Sequence, residues 1–205
     1  VNGKDKYSAT NIVIATGATT NIPNIEGLNE VGYLTNVSLF DLEEKPISIT
    51  IMGAGYIGLE IAQAYSRLGV KVRIIEFTDR PLRTQTSDIT DVLVEQMKSE
   101  GIEILPNFRA FKFEKKGNDT IIHCNCPDGS TTQVIEKGHI VVATGTKPNT
   151  TKLGFENSDI NLTKSGHILV NEKMETNVSN IYAAGDVTNT PPFVYTAATE
   201  GNTAV

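Results

Sequence analysis

The stretch "ISITIMGAGYIGLEIAQAYSRLGVKVRIIEF", residues 47–77, limits the possible folds more than any other part of the chain. "ISITIMG" is a short apolar run of the kind seen in parallel strands buried on both faces. Ile57, Ile61, Tyr65 and Leu68 follow at helical spacing, and Gly69 stands where a helix C-cap belongs. "VKVRIIEF" reads as a second strand, which completes a βαβ unit.

Gly53-Ala54-Gly55-Tyr56-Ile57-Gly58 fits G-x-G-x-x-G, directly after the strand and opening the helix. Gly53 permits a tight turn, Gly55 lets the backbone approach a pyrophosphate, and Gly58 lets helix and strand pack closely. The phosphates then face unpaired N–H groups at the positive end of the helix. Glycine turns are common, so the pattern alone is weak. Glu76 adds the discrimination, because an acid at the end of the second strand can accept hydrogen bonds from the adenosine ribose. The alternative, a chance glutamate at a strand end, does not account for the whole βαβ context. Dinucleotide binding follows.

Glu76 also bears on the choice of dinucleotide. It would face the 2′-phosphate of NADPH, and like charges near 4 Å repel by roughly 4 kcal/mol at a surface-like dielectric. Arg80 and Arg83 follow closely and either reach a 2′-phosphate or form an ordinary solvated loop. NADH is the favoured partner.

Elsewhere, "YSATNIVIATGA" reads as a strand ending in a Gly turn, within an alternating stretch that starts at residue 1. Residues 21–32 form a Pro/Gly/Asn connector, and "SLFDLEEKP" a short helix closing at Pro46. A helix is expected from Ser87 to Glu100, capped by Ser87, with Ile89, Val92, Leu93 and Met97 as its apolar face and Gly101 as its stop. "IEIL" and three strands separated by "KKGND" and "PDGS" make an antiparallel meander. "HIVVATGTKPN" and "NIYAAGDV" are further strands. "IVIATGA" and "IVVATGT" are near copies, which fits two similar subdomains.

The composition, 39% hydrophobic and 20% charged over 205 residues, is that of a folded soluble protein. A net charge of -6 argues against nucleic acid and anionic membrane surfaces as partners. No apolar run approaches the roughly 20 residues of a membrane helix, and no signal-peptide pattern is recognisable, so the cytoplasm is the expected compartment. The start at Val1 in an expected strand and turn, and the end at Val205 inside an expected helix, point to a fragment.

The set "IVIATGA" (12–18), "GAGYIGLE" (53–60), Glu76, "VVATGTKPNT" (141–150) and "IYAAGDV" (181–187) resembles the flavin-dependent class I pyridine nucleotide–disulfide oxidoreductases. The pieces come in that family's order and cover nearly the whole chain. The implied architecture is α/β. A Rossmann-like NAD(P)-binding domain over 43–149, with a parallel sheet, helices and an antiparallel β-meander, is inserted in a partial FAD-binding domain made of 1–42 and the return segment 150–205.

By the same resemblance, Gly53, Ala54, Gly55, Tyr56, Ile57, Gly58, Leu59 and Glu60 hold NAD(P)H together with Glu76. Ala110 lies by the adenine and Gly145 beside the nicotinamide half. Thr16, Gly17 and Ala18 lie against FAD, and Asp186 bonds the flavin ribityl chain. Pro192, Phe193, Val194 and Tyr195 fall where backbone amides approach the flavin ring, and a helix N-terminus there stabilises negative charge on reduced flavin. A strand-end turn is the plain alternative for Asp186, set aside by the paired Ala-Thr-Gly turns. "PPFVYTAATEG" looks like the mercuric reductase branch, whereas dihydrolipoyl dehydrogenases usually carry Leu-Ala-His here. Glu76 departs from the NADPH preference of many mercuric reductases.

The family's Cys-x4-Cys pair is absent, and so are its N-terminal Gly-rich FAD turn and the C-terminal dimer domain with a His-Glu pair. Cys124 and Cys126 read as ordinary strand cysteines on one face. His123, His139 and His167 are scattered, Lys4, Lys115 and Lys116 flank turns, and no catalytic or metal-ligating residue is assigned. Three readings result. The chain is the central piece of a mercuric-reductase-like flavoenzyme, homodimeric when intact, passing a hydride to FAD and electrons through a missing cysteine pair to Hg(II). Alternatively the acceptor is a disulfide such as lipoamide, or the chain is a non-catalytic nucleotide-binding module. In isolation it is expected to bind NADH, hold FAD poorly, turn over nothing, and tend to self-associate through unpartnered apolar faces.

Overall fold

The computed structural model describes residues 5, 7–151 and 153–204. The strand and turn expected at residues 1–4, with Lys4, lie outside them, as does Val205. In chain order the first elements are β1 (Ile12–Ile14), β2 (Ala18–Thr20), α1 (Leu28–Val31), β3 (Ser48–Met52), α2 (Tyr56–Arg67) and β4 (Lys71–Ile75). Next come α3 (Ser87–Ser99), β5 (Glu103–Leu105), β6 (Arg109–Lys116), β7 (Asp119–Asn125) and β8 (Thr131–Glu136). The last are β9 (His139–Val142), β10 (Thr146–Pro148), β11 (Ile181–Ala183) and α4 (Val194–Ala204). Contacts divide the chain into two compact units, Thr20–Gly145 and Val1–Thr19 with Thr146–Val205.

The Thr20–Gly145 unit is built on a four-stranded parallel sheet of order β5-β4-β3-β9. Its strands are apolar on both sides because both sides are covered. Ile49 and Ile51 of β3, Val72 and Ile74 of β4 and Val141 of β9 join Leu59, Ile61, Ala62 and Met97 in one core. Their neighbours Met52, Ile75, Ile140 and Val142 point the other way, into a second core with Phe113, Ile122 and Val134 of the meander β6-β7-β8. The strand period of two thus serves two layers from one continuous apolar run.

Helix phases differ from the sequence expectation. On α2 the buried residues are Gly58, Leu59, Ile61 and Ala62, while Ile57 and Leu68 are 36% and 61% exposed. On α3 Thr90 and Met97 are buried and Leu93 and Val94 half-buried, whereas Ile89 and Val92 are 60% and 69% exposed. Thr90 tolerates burial because its hydroxyl donates to the Ser87 carbonyl at 3.1 Å. A count of apolar residues misses such a position and rotates the face. The α3 cap position is Thr86, and Ser87 is already helical. The connector 21–32 contains α1, whose Leu28 is 1% exposed. The stretch at Ser38–Asp41 is a 3-10 turn.

Glu136 is a buried charge that the sequence did not flag. Its carboxylate takes hydrogen bonds from the Ser48 hydroxyl, from Thr50 Oγ1 at 2.6 Å and from the Gly138 N–H at 2.6 Å. It ties the end of the meander to β3.

In the other unit, β1 and β11 form a parallel pair, Ile12 opposite Ile181 and Ile14 opposite Ala183, and β2 pairs with β10. The strand expected from the alternation before Ile12 is confined to Ile12–Ile14. Ile14, Ile160, Ile168, Ala183 and Val187 form a small core.

Candidate functional site

The three motif glycines do three separable jobs. Gly53 has φ +101°, and a Cβ there would lie 2.5 Å from the Ala143 carbonyl oxygen. A Cβ on Gly58 would lie 2.1 Å from the Gly53 carbonyl oxygen, so helix and turn touch backbone to backbone. Gly55 is extended and exposed, with nothing within 4 Å of a Cβ position. Packing therefore accounts for Gly53 and Gly58, and Gly55 leaves an open ledge at the N-terminus of α2. That is the space a pyrophosphate needs beside a helix whose first N–H groups lack intrahelical acceptors.

Glu76 joins strand end and turn. It is 5% exposed, and its Oε2 accepts the Ala54 N–H at 2.6 Å. Its Oε1 accepts the N–H and the hydroxyl of Thr78, each at 2.7 Å. The Ala54 carbonyl in turn accepts the Leu82 N–H at 3.0 Å, with Leu82 held at φ +46°. Both sides of the Ala54 residue are thus clamped by the segment that follows β4. Each carboxylate oxygen has two lone-pair sites, so Oε2 keeps one for a further donor such as a ribose hydroxyl.

Arg80 and Arg83 are engaged within that same segment. Arg80 Nη2 donates to the Arg83 carbonyl at 3.3 Å, and Arg80 Nη1 is buried without an acceptor. Arg83 Nε lies 3.9 Å from Asp79 Oδ1, with both side chains largely exposed. Tyr56 opens α2 at 44% exposure and receives a hydrogen bond from Gln85. Leu59 is buried in the core, and Ile57 and Glu60 face outward.

A cavity of about 500 Å³ opens at the C-terminal ends of β3 and β4, beside Met52, Gly53, Ile75 and Thr144. Ligands of open parallel sheets sit at that end of the strands. Ala110 lines it, as do Phe77 and Phe111, 67% and 42% exposed, which sequence reasoning did not single out. Phe77 adjoins Glu76, so its place was readable. Phe111 sits at a register shift between Ala110 and Lys112, and such a bulge, which re-aims a side chain, has no sequence sign here. Gly145, at φ +94°, follows Thr144 and is exposed.

In the other unit, Thr16-Gly17 and Gly185-Asp186 leave the C-terminal ends of the adjacent parallel strands β1 and β11. Asn149 braces the first turn. Thr16 Oγ1 donates to the Asn149 carbonyl at 2.9 Å, Asn149 Nδ2 to the Thr16 carbonyl at 2.9 Å, and the Asn149 N–H to the Gly17 carbonyl at 2.9 Å. Gly17 and Asp186 are both half-buried, and a Cβ on Gly17 would meet nothing within 4 Å. Ala18 opens β2. Pro192 and Phe193 precede α4, and Val194 and Tyr195 begin it at 81% and 84% exposure.

Cys124 is fully buried in β7, and burial, with Cys126 nearby, pushes its thiol up to about 11. Cys126 lies past the end of β7, its N–H on the Ser130 carbonyl at 2.8 Å, so the two cysteines do not share a strand face. His123 Nε2 is 3.1 Å from Glu114, whose carboxyl is held low by Lys112 and then by His123. His167 Nδ1 is 2.9 Å from the Ser165 hydroxyl. Among the described residues no group of three or more His, Cys, Asp or Glu is placed to hold a metal, and no helix is long and apolar enough to cross a membrane.

Known proteins bear out the resemblance. The chain is 38% identical over 201 residues to a mercuric reductase of Staphylococcus aureus, covering 98% of this chain and 36% of that protein. It is 31% identical over 207 residues to a dihydrolipoyl dehydrogenase of Geobacillus stearothermophilus, covering 100% of this chain and 43% of that one. Its structure superposes on the Cu(II) complex of the HOCl-induced flavoprotein disulfide reductase RclA from Escherichia coli with a TM-score of 0.87 at 29% identity, over 95% of this chain and 44% of that one. The chain thus spans less than half the length of these relatives. Residues 1–201 match the family described as pyridine nucleotide-disulphide oxidoreductase, and the chain belongs to that family of flavin-dependent, NAD(P)H-using enzymes.

Proposed function

We propose that this chain is the NAD(P)H-binding central part of a flavoprotein disulfide oxidoreductase. The sequence-based boundary for its dinucleotide domain is 43–149, and residues 20–42 pack into the same compact unit. The observation that carries the reading is the Glu76 carboxylate fixed on the Ala54 N–H beside the open Gly55 ledge. On this reading Gly53 to Glu60 bind the pyrophosphate and its flanks, and Glu76 Oε2 accepts a ribose hydroxyl. The cavity with Ala110, Phe77 and Phe111 receives the adenine, and Gly145 lies beside the nicotinamide half.

NADH is the preferred donor, because a 2′-phosphate would bring its charge against a buried carboxylate already committed to three protein donors. Arg80 and Arg83, tied to each other and to Asp79, favour the same choice. Thr16, Gly17, Ala18 and Asp186 hold the flavin, and Pro192 to Tyr195 approach its ring. With NAD(P)H held by Gly53 to Glu60 and Glu76, and FAD by Thr16, Gly17, Ala18 and Asp186, the pair would supply hydride-transfer chemistry. The whole protein works in the cytoplasm as a homodimer.

For the electron acceptor we propose Hg(II), supported by the mercuric reductase relative and the 191–201 segment. A disulfide such as lipoamide is the second reading, favoured by the dihydrolipoyl dehydrogenase relative. The coding sequence on both sides of Val1 and Val205 tests this. A Cys-x4-Cys upstream with a vicinal cysteine pair downstream is the expected result. The upstream pair with a downstream His-Glu and no extra cysteines would favour the disulfide. A start at Val1 and a stop after Val205 would leave a nucleotide-binding module and overturn the enzyme reading.

A further inference from the structure

The turn that carries Asp186 rests on a buried carboxylate. Glu200, on α4, is 5% exposed. Its Oε2 accepts the Gly185 N–H at 2.7 Å and lies 3.3 Å from the Thr188 hydroxyl. The Gly185 carbonyl accepts the Thr188 N–H at 2.8 Å and lies 2.9 Å from the same hydroxyl. Gly185 is therefore gripped at both its N–H and its C=O. It has φ +80°, and a Cβ there would meet the Ala197 Cβ at 3.4 Å, so the turn lies directly on the helix.

A carboxylate is costly to bury, whereas a neutral side-chain amide would accept the same N–H without burying a charge. Stability alone does not call for an acid at this point of an alanine-rich helix. An N–H to carboxylate bond is stronger and more directional than a neutral one. Here it fixes the 184–185 peptide, while Thr188 holds the 185–186 peptide that leads into Asp186.

We propose that Glu200 is a positioning residue that fixes the Gly185–Asp186 turn so that the Asp186 carboxylate meets the flavin ribityl chain. The inference rests on the reading of Asp186 as a flavin contact. Without the Glu200 acceptor the 184–185 peptide is free to rotate, and Asp186 loses its aim while the fold around it persists.

The test uses the whole flavoprotein of which this chain is the proposed central part, with Glu200→Met, Glu200→Gln and Glu200→Asp, and Asp186→Ala as reference. FAD is titrated by flavin fluorescence, the Gly185 amide is followed by hydrogen exchange, and the melting midpoint and NADH affinity are recorded beside them. Glu200→Gln keeps an acceptor and is expected to hold FAD within about threefold of the unchanged protein. Glu200→Met fills the space without an acceptor. It is expected to weaken FAD roughly ten- to a hundredfold, to speed Gly185 exchange, to lower the midpoint by only a few degrees, and to leave NADH affinity unchanged. Glu200→Asp keeps the charge one methylene short of Gly185 and is expected to move the same way, which decides the matter if the methionine variant fails to fold. Methionine and aspartate variants that bind FAD like the unchanged protein, while Asp186→Ala weakens it, would overturn the role of Glu200 and leave the Asp186 reading intact. Asp186→Ala binding FAD as tightly as the unchanged protein would remove the flavin reading and this inference with it.

Discussion

In the Thr20–Gly145 unit, Ile140, Val141 and Val142 are 2%, 0% and 0% exposed, whereas the matching Ile12, Val13 and Ile14 of the other unit are 49%, 46% and 8% exposed. The turns after these strands are nevertheless alike. Thr144 Oγ1 donates to the Asn21 carbonyl at 2.6 Å and the Gly145 carbonyl accepts the Asn21 N–H at 2.9 Å, as Thr16 and Gly17 do with Asn149. Turn geometry is set by a few local bonds, and burial of the strand before it by neighbouring layers. The β9 strand has β3 beside it and a core on each face. The β1 strand pairs with β11 in a two-stranded sheet, which covers much less of it.

The sharpest way to break the comparison is at the glycines. Gly58→Ala puts a Cβ into the Gly53 carbonyl and is expected to cost roughly 3 kcal/mol and to abolish measurable NADH binding. Gly17→Ala meets open space and carries only left-handed backbone strain, about 1–2 kcal/mol, with NADH affinity unchanged. Thermal melts and NADH fluorescence titrations check both.

Glycine positions were the legible part of the fold. The pattern at 53–58, the stops at Gly69 and Gly101 and the Gly117 turn follow from local backbone chemistry, and all but Gly55 and Gly58 have positive φ. The β-strands were legible too, since an apolar run buried on both faces needs no phase. Helix faces were not, because Thr90, Gly58 and Ala62 line cores without advertising it. Nor were Glu136 and Glu200, whose partners come from other elements. Phe111 depends on a bulge, Asn21 acts through backbone groups that any residue carries, and Asn149 adds one side-chain bond whose partner, Thr16, is distant in sequence.

The next largest effect sets Val141→Ala against Val13→Ala, one substitution at equivalent places. The first is expected to cost roughly 2 kcal/mol and the second under about 0.5 kcal/mol, read from chemical denaturation. Equal losses would mean that Val13 is as buried as Val141. Glu76 and Asp186 are the strand-end acids of the two units. Glu76→Ala is expected to weaken NADH about tenfold, since it removes a charge-assisted bond from the glycine turn, and to narrow the NADH/NADPH preference. Unchanged selectivity would count against the ribose role, and Asp186→Ala should leave NADH binding alone.

The smallest effect concerns the helix pair of the first unit. Glu100 bonds Arg67 at 2.8 Å, and Arg67, then Gln96, hold its carboxyl at about 2, below the ordinary 4.5. A carboxyl depressed by folding stabilises above its unfolded value and stops doing so as pH falls through its folded one. The contribution is therefore full above about pH 4.5 and lost towards pH 2. Glu100→Gln should flatten the stability profile across that window, measured by urea unfolding at stepped pH.

The most direct test of the central claim is a titration of the 15N-labelled chain with NADH, followed residue by residue. Saturable shifts centred on Gly53 to Glu60, on Glu76 to Thr78 and on Ala110 and Phe111, with NADPH weaker, are expected. No saturable shifts, or shifts gathered at Thr16, Gly17 and Asp186 instead, would contradict the assignment of the dinucleotide to the Thr20–Gly145 unit.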